Sequence, residues 1–125
     1  MTFAKCSFLI AGIYGLIVLL PQYFLENRIG IEQPPAITHP EFFYGFISVA
    51  VAFQLVFLTI ASDPVKYHVL MLAALVEKFP FSIATIILYS NERIGWQMLA
   101  AGSIDGLLGL LFLTSYLLTR RSQVS

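Results

Sequence analysis

Four stretches of apolar residues, separated by short polar segments, dominate the pattern of this chain. They occupy residues 6–24, 42–61, 69–89 and 95–118, called spans one to four below. Each is close to the ~20 residues that a helix needs to cross a bilayer. Because backbone groups in lipid must be satisfied within the segment, each span is predicted to be helical. The short connections after spans two and three then predict an all-α, up-down four-helix membrane bundle, a single domain over residues 1–125.

Composition supports a membrane protein over a soluble one. The chain is 58% hydrophobic and 11% charged, whereas about a quarter of the residues in a soluble domain are charged. The formal net charge is zero, so no basic face predicts a nucleic-acid partner. The single cysteine, Cys6, leaves no intramolecular disulfide and no cysteine-based metal site.

Charges and aromatic residues outside the apolar stretches predict an orientation. Basic residues concentrate on the side of both termini, with Lys5, Lys66, Arg120 and Arg121 there against Arg28 and Arg93 on the other side. The positive-inside rule therefore predicts cytoplasmic termini. Aromatic residues fall at the span ends, with Tyr23, Tyr44, Tyr89 and Trp96 at the outer ends and Tyr67 and Tyr116 at the inner ends. The long outer connection 25–41 is interpreted as a simple connector, with a cap over the outer mouth as the alternative.

Three ionisable residues lie inside the spans. Glu77 and Lys78 lie near the middle of span three, and Asp105 lies near the middle of span four. At ~1.5 Å rise per residue, all three fall within about one helical turn of the midplane. Charges at such depth are costly and are functional candidates by default. Pro80 adds an unpaired carbonyl at Val76, because proline has no N–H to donate.

Helical periodicity places these charges on inward faces. The small and polar sector of span three comprises Ala73, Ala74, Glu77, Lys78, Phe81, Ala84 and Thr85. That of span four comprises Met98, Ala101, Gly102, Asp105, Gly106, Gly109, Phe112 and Tyr116. The glycines form a seam along which another helix can approach closely. Span two carries a seam of Gly45, Ser48, Ala52 and Thr59, with Gln54 on a different face, and that seam could serve a partner chain.

Two interpretations of the charged residues stay open. Two acids and one base leave an uncompensated negative charge, so we predict that one of Glu77 and Asp105 is protonated while the other pairs with Lys78. The cluster could be a structural ion pair that fixes helix register, or it could bind a proton, a cation or a polar ligand. His39 and His68 show no metal-site spacing and lie away from midmembrane depth, so no metal and no cofactor is predicted. No catalytic motif is present, so an enzyme is not favoured.

Several patches resemble small bacterial inner-membrane proteins of the DoxX-like type. They are the runs 40–46, 63–65, 75–78 and 105–112, which read PEFFYGF, DPV, LVEK and DGLLGLLF. The resemblance implies a four-helix protein of the bacterial inner membrane. DoxX relatives include a subunit linked to thiosulfate oxidation with quinone as acceptor. No redox centre is evident in this chain, so that activity is not carried over.

These observations favour three hypotheses of function, in order. The first is a structural or accessory component of the membrane that contains the buried cluster. The second is a proton- or ion-coupled, transporter-like protein that uses the cluster as its site and forms a homo-oligomer. The third is a quinone-associated oxidoreductase subunit. Beyond the lipid bilayer, the expected partner is a second copy of the chain or another membrane subunit.

Overall fold

The four membrane-spanning helices predicted from the sequence are present in the structure, a computed structural model that describes the backbone of residues 2–124 and the side chains of residues 3–121. The helical segments are α1 (Thr2–Leu19), a 3₁₀ helix (Leu20–Phe24), α2 (Glu26–Glu32), α3 (Pro40–Ser62), α4 (Leu70–Ser90) and α5 (Trp96–Val124). By length and composition, α3, α4 and the stretches Phe3–Phe24 and Trp96–Arg121 can cross a membrane. The all-α bundle and the integral membrane character are therefore confirmed.

Local sequence explains where the helices begin and change. Pro40 occupies the first turn of α3 together with Glu41, where a missing N–H is harmless and a carboxylate meets the positive end of the helix dipole. The α1 helix changes to 3₁₀ geometry around Pro21, which cannot donate to the preceding turn. By contrast, α4 runs through Pro80 without interruption.

The helices associate as two pairs. α1 packs along α3, α4 packs along α5, and contacts between α1 and α5 join the pairs. α3 and α4 share a much smaller interface, although they are neighbours in the chain. The bundle is therefore tight within each pair and loose between α3 and α4.

An aromatic core joins all four helices at the end where α1 begins, the end opposite α2. Phe8 stacks on Phe112 with ring centroids 4.1 Å apart, and Phe57 meets Phe112 edge-on at 5.0 Å. All three rings are fully buried. Met71 and Ala74 of α4 complete the cluster. This half of the bundle is therefore packed, and the space for a site lies in the half that carries α2.

The glycine seam of α5 forms the contact with α4. Gly102 lies against Thr85, Gly106 against Ser82, and Gly109 against Phe79, so close that a methyl group at Gly102 would overlap the Thr85 hydroxyl. Without a strong hydrophobic force between helices in lipid, such close approach is what holds membrane helices together. The seam predicted from the sequence is thus used within the bundle.

The Gly102→Ala variant is expected to be less stable than the wild type by about 1–3 kcal/mol, because the added methyl group overpacks the α4–α5 contact. The matched control is Gly45→Ala, since a methyl group there would meet no atom of the described residues within 4 Å. Both variants replace a glycine by alanine within a helix, so the gain in helix propensity is the same. Equilibrium unfolding in mixed micelles checks the difference, and equal stabilities would show that the seam tolerates a methyl group.

One of the predicted faces needs correction. On α4, Ala73 and Ala84 are exposed while Ser82 is buried, because the buried face turns toward the α5 glycines and takes Ser82 with Thr85. On α3, the seam of Gly45, Ser48, Ala52 and Thr59 is exposed and is not used within the bundle, and Gln54 lies on a different, buried face, as predicted. Within the bundle, that helix packs through a face that includes Ile47, Ala50, Gln54, Phe57 and Ile60.

Candidate functional site

The three charged residues of spans three and four form one cluster. The ammonium of Lys78 donates a hydrogen bond to Asp105 Oδ1 at 3.1 Å and lies 3.3 Å from Glu77 Oε2. Its Nζ also lies 5.3 Å from the centroid of the Phe57 ring. The neighbouring positions 77 and 78 on α4 thus place an acid and a base beside the acid of α5. Lys78 therefore contacts both acids.

The cluster is buried unevenly. The Lys78 side chain is 5% exposed, whereas Glu77 retains 18% and Asp105 retains 21%. The base is therefore enclosed while the two acids remain partly accessible. Toward any incoming molecule, the cluster presents carboxylates.

A cavity of about 560 Å³ reaches this cluster from the end of the bundle that carries α2. Residues of α1, α3, α4 and α5 line it, including Glu77, Lys78 and Asp105. Its size falls within the range of about 300–1,000 Å³ typical of small-molecule pockets. The cavity therefore extends from the midmembrane acids toward one end of the protein.

The connection between α1 and α3 covers this cavity. Leu25, Ile29, Gln33 and Ile37 contribute to its lining, and the hydroxyl of Tyr44 donates to Glu26 Oε1 at 3.0 Å, which fastens α2 to α3. The segment is thus the cap considered as the alternative, not a simple connector.

On the outer face of α2, Arg28 and Glu32 form an exposed ion pair at 2.9 Å. The hydrogen bond to Glu32 raises the pKa of Arg28. This change has no consequence for charge near neutral pH, because a guanidinium is protonated there in any case. The pair therefore belongs to the solvated face of the cap and takes no part in the site.

A second cavity opens sideways, between α3 and α4. It measures about 430 Å³ and lies where the two helices share little interface. Five residues line both cavities, namely Phe46, Ala50, Glu77, Phe81 and Asp105. The carboxylates therefore face both the end of the bundle and the lipid side.

Gln54 adds a polar group to the cavity wall. It is 1% exposed, and its Nε2 donates to the carbonyl of Ala50 at 2.7 Å. Its Oε1 has no hydrogen-bond partner among the described residues. The side chain lies over Gly15, where a Cβ would overlap it. A buried acceptor without a donor is costly, so Gln54 Oε1 is an acceptor left open beside Gly15 at the wall of the larger cavity.

The other residues proposed to support the cluster have different positions. Pro80 is exposed on α4, and Gly102, Gly106 and Gly109 form the helix contact described above. Tyr116 packs against the aromatic core, three turns from Asp105 along α5. The structure thus brings Gln54 to the site but places the glycines and Tyr116 in packing contacts.

Tyr14 was missed by the sequence reasoning. It lines the larger cavity and lies within electrostatic range of Asp105. A signal was available, because Tyr14 is a tyrosine in the middle of a span whereas the other tyrosines lie at span ends. Its hydroxyl is one more polar group at the depth of the cluster.

The histidines lie away from the cavities. His39 contacts Glu41 at 3.2 Å, and His68 Nδ1 lies 3.0 Å from the carbonyl oxygen of Val65. Within the described residues, no group of three or more His, Cys, Asp or Glu side chains could hold a metal ion. Neither histidine is therefore part of the candidate site.

Comparison of the chain with protein-family models, with curated proteins and with solved structures finds no match. The resemblance to DoxX-like proteins therefore stays a prediction. The cluster and its two cavities are the features of this chain that point to a function.

Proposed function

We propose that this membrane protein binds a small molecule or ion at the Glu77–Lys78–Asp105 cluster. One observation carries the proposal, namely that a cavity of about 560 Å³ leads to two partly exposed carboxylates in the middle of the span. An ion pair that served only to fix helix register would gain from being sealed by packing, since accessible charges interact more weakly. The geometry thus favours the ligand-binding hypothesis over a purely structural component.

The structure supports ligand binding better than it supports transport across the membrane. The aromatic core of Phe8, Phe57 and Phe112 fills the half of the bundle opposite α2. A pathway through the protein would require those rings to separate, whereas binding requires no change. We therefore propose a binding site with access from the α2 end and from the lipid side.

The proposal includes a location. The resemblance to DoxX-like proteins and the distribution of basic residues support a bacterial inner membrane with cytoplasmic termini, which places α2 on the outer side. The exposed small-residue face of α3, from Gly45 to Thr59, would suit close approach by a second copy or a partner subunit.

Thiol labelling tests access to the site. In a Cys6→Ser background, we expect Ala101→Cys to react with a charged, membrane-impermeant thiol reagent, because Ala101 lines the larger cavity. The matched control is Ala74→Cys, which lies in the aromatic core with 0% exposure and should stay unlabelled. Vesicles of both orientations show the side from which the reagent enters, and the outer side is expected.

Each result has a consequence. Labelling of Ala101→Cys alone supports the proposal. Labelling from the cytoplasmic side would overturn the orientation while leaving the site intact. If Ala101→Cys resists the reagent from both sides, the cavity is closed to water-borne ligands and the structural role becomes the better explanation.

A further inference from the structure

We infer that the ligand is a lipophilic amine, whose protonated nitrogen pairs with Glu77 and whose apolar body fills the cavity between α3 and α4. This inference rests on the proposed function, because it specifies the chemistry of the molecule bound at that site. Four observations support it: the charge of the cluster, the exposure of its two acids, the aromatic residues that line the cavities, and the unpaired oxygen of Gln54.

Charge and exposure favour a cation. Two carboxylates share one ammonium, and Lys78 donates its hydrogen bond to Asp105 at 3.1 Å while its Nζ lies 3.3 Å from Glu77 Oε2. Glu77 and Asp105 are also the partly exposed members of the cluster, whereas Lys78 is enclosed. A ligand in the cavity therefore meets negative charge, which an anion would not tolerate at this depth.

The lining favours an apolar body next to that charge. Phe46 and Phe81 line both cavities, with ring centroids 6.2 Å apart, and Phe53 joins them on the lipid side. Aromatic rings bury large apolar area, and their faces attract cations within about 6 Å. A molecule with a hydrocarbon body and one positive group matches this wall.

Gln54 favours a nitrogen that carries a hydrogen. Its Oε1 is buried and lacks a donor within the described part of the chain, and Gln54 lines the larger cavity, to which Glu77 also contributes. A protonated amine can donate to this oxygen and form an ion pair with Glu77. A quaternary ammonium could form only the ion pair.

An inorganic cation fits less well. Ca²⁺ takes six to eight oxygen ligands, and Mg²⁺ demands six in octahedral geometry. The described residues offer no group of three or more acidic, histidine or cysteine ligands. The Lys78 ammonium, moreover, already lies between the two carboxylates.

The test uses three probes with one hydrocarbon cage: 1-adamantylamine, 1-adamantanol and adamantane-1-carboxylate. Binding to the full chain in lipid nanodiscs is measured by equilibrium dialysis, with empty nanodiscs to subtract partition into lipid. We expect the amine to bind at least about tenfold more tightly than the alcohol, and the carboxylate to show no saturable binding.

Variants locate the charge. Glu77→Gln keeps the shape of the side chain and should weaken amine binding to the level of the alcohol. Glu41→Gln is the control, since Glu41 is an exposed acid paired with His39, and it should bind as the wild type does. Gln54→Leu should weaken the amine about fivefold or more and leave the alcohol nearly unchanged.

The outcomes separate the two proposals. Equal binding of amine and alcohol, or unchanged amine binding in Glu77→Gln, would overturn the amine assignment while keeping a ligand site. Tighter binding of the carboxylate would assign the cavity to anions and would also overturn it. If none of the probes binds and Ala101→Cys resists labelling, the proposed function itself fails.

Discussion

Replacing Lys78 by methionine is expected to lower the free energy of unfolding by about 3–5 kcal/mol, the cost of removing one partner from a buried ion pair. Lys78 is enclosed between Glu77 and Asp105 at 3.3 Å and 3.1 Å. Without its ammonium, two carboxylates face each other in a medium of low dielectric constant. Equilibrium unfolding in mixed micelles, followed by circular dichroism, measures the change.

Two further variants decide the cause of that loss. The triple variant Glu77→Gln, Lys78→Met, Asp105→Asn should recover most of the stability, because no charge is left unpaired. Lys66→Met, at an exposed lysine, should stay within about 0.5 kcal/mol of the wild type. If Lys78→Met proves as stable as the wild type, the acids do not depend on the ammonium and the ion pair is not a stabilising element.

Replacing Phe112 by alanine is the second change with a large expected effect. The ring stacks on Phe8 and meets Phe57 edge-on, so its removal leaves a cavity at the centre of the aromatic core. We expect a loss of about 3 kcal/mol, the lower end of the range for buried phenylalanines. The lower end applies because lipid is as apolar as the core, so the loss comes from packing contacts.

The control for Phe112→Ala is Leu107→Ala on the same helix, where the leucine is 64% exposed toward lipid. It should change stability by less than about 0.5 kcal/mol. Amine binding provides a second readout. Phe112→Ala should leave the affinity for 1-adamantylamine within about twofold, because Phe112 lines neither cavity, and a large loss of affinity would show that the two halves are coupled.

The sequence was sufficient to predict the membrane-spanning helices and the charged cluster. Runs of apolar residues determine spans in lipid, and the cost of midmembrane charge forces Glu77, Lys78 and Asp105 to find one another. The seam of Gly102, Gly106 and Gly109 was also readable, since small residues at helical spacing allow close approach. These features depend on local pattern and on one strong energetic constraint.

The cavities and the cap were not predictable in the same way. A void depends on how two helices diverge, and the small α3–α4 interface follows from the larger contacts that each makes elsewhere. Helix periodicity predicted that Ala73 and Ala84 face the bundle interior because alanine is small. Alanine is also apolar, however, and can equally face lipid. The seven-residue helix α2 is too short for a clear periodic signal, and its role appears only when the cavity beneath it is seen.

The division into two helix pairs has a mechanical consequence. The pairs meet at the aromatic core of Phe8, Phe57 and Phe112, whereas α3 and α4 share little interface. Both carboxylates belong to the α4–α5 pair, while Gln54, Phe46 and the cap belong to the α1–α3 pair. A bound amine that contacts both Glu77 and Gln54 would link the two helix pairs. Ligand binding is therefore expected to hold the two pairs together and to make the whole bundle more rigid.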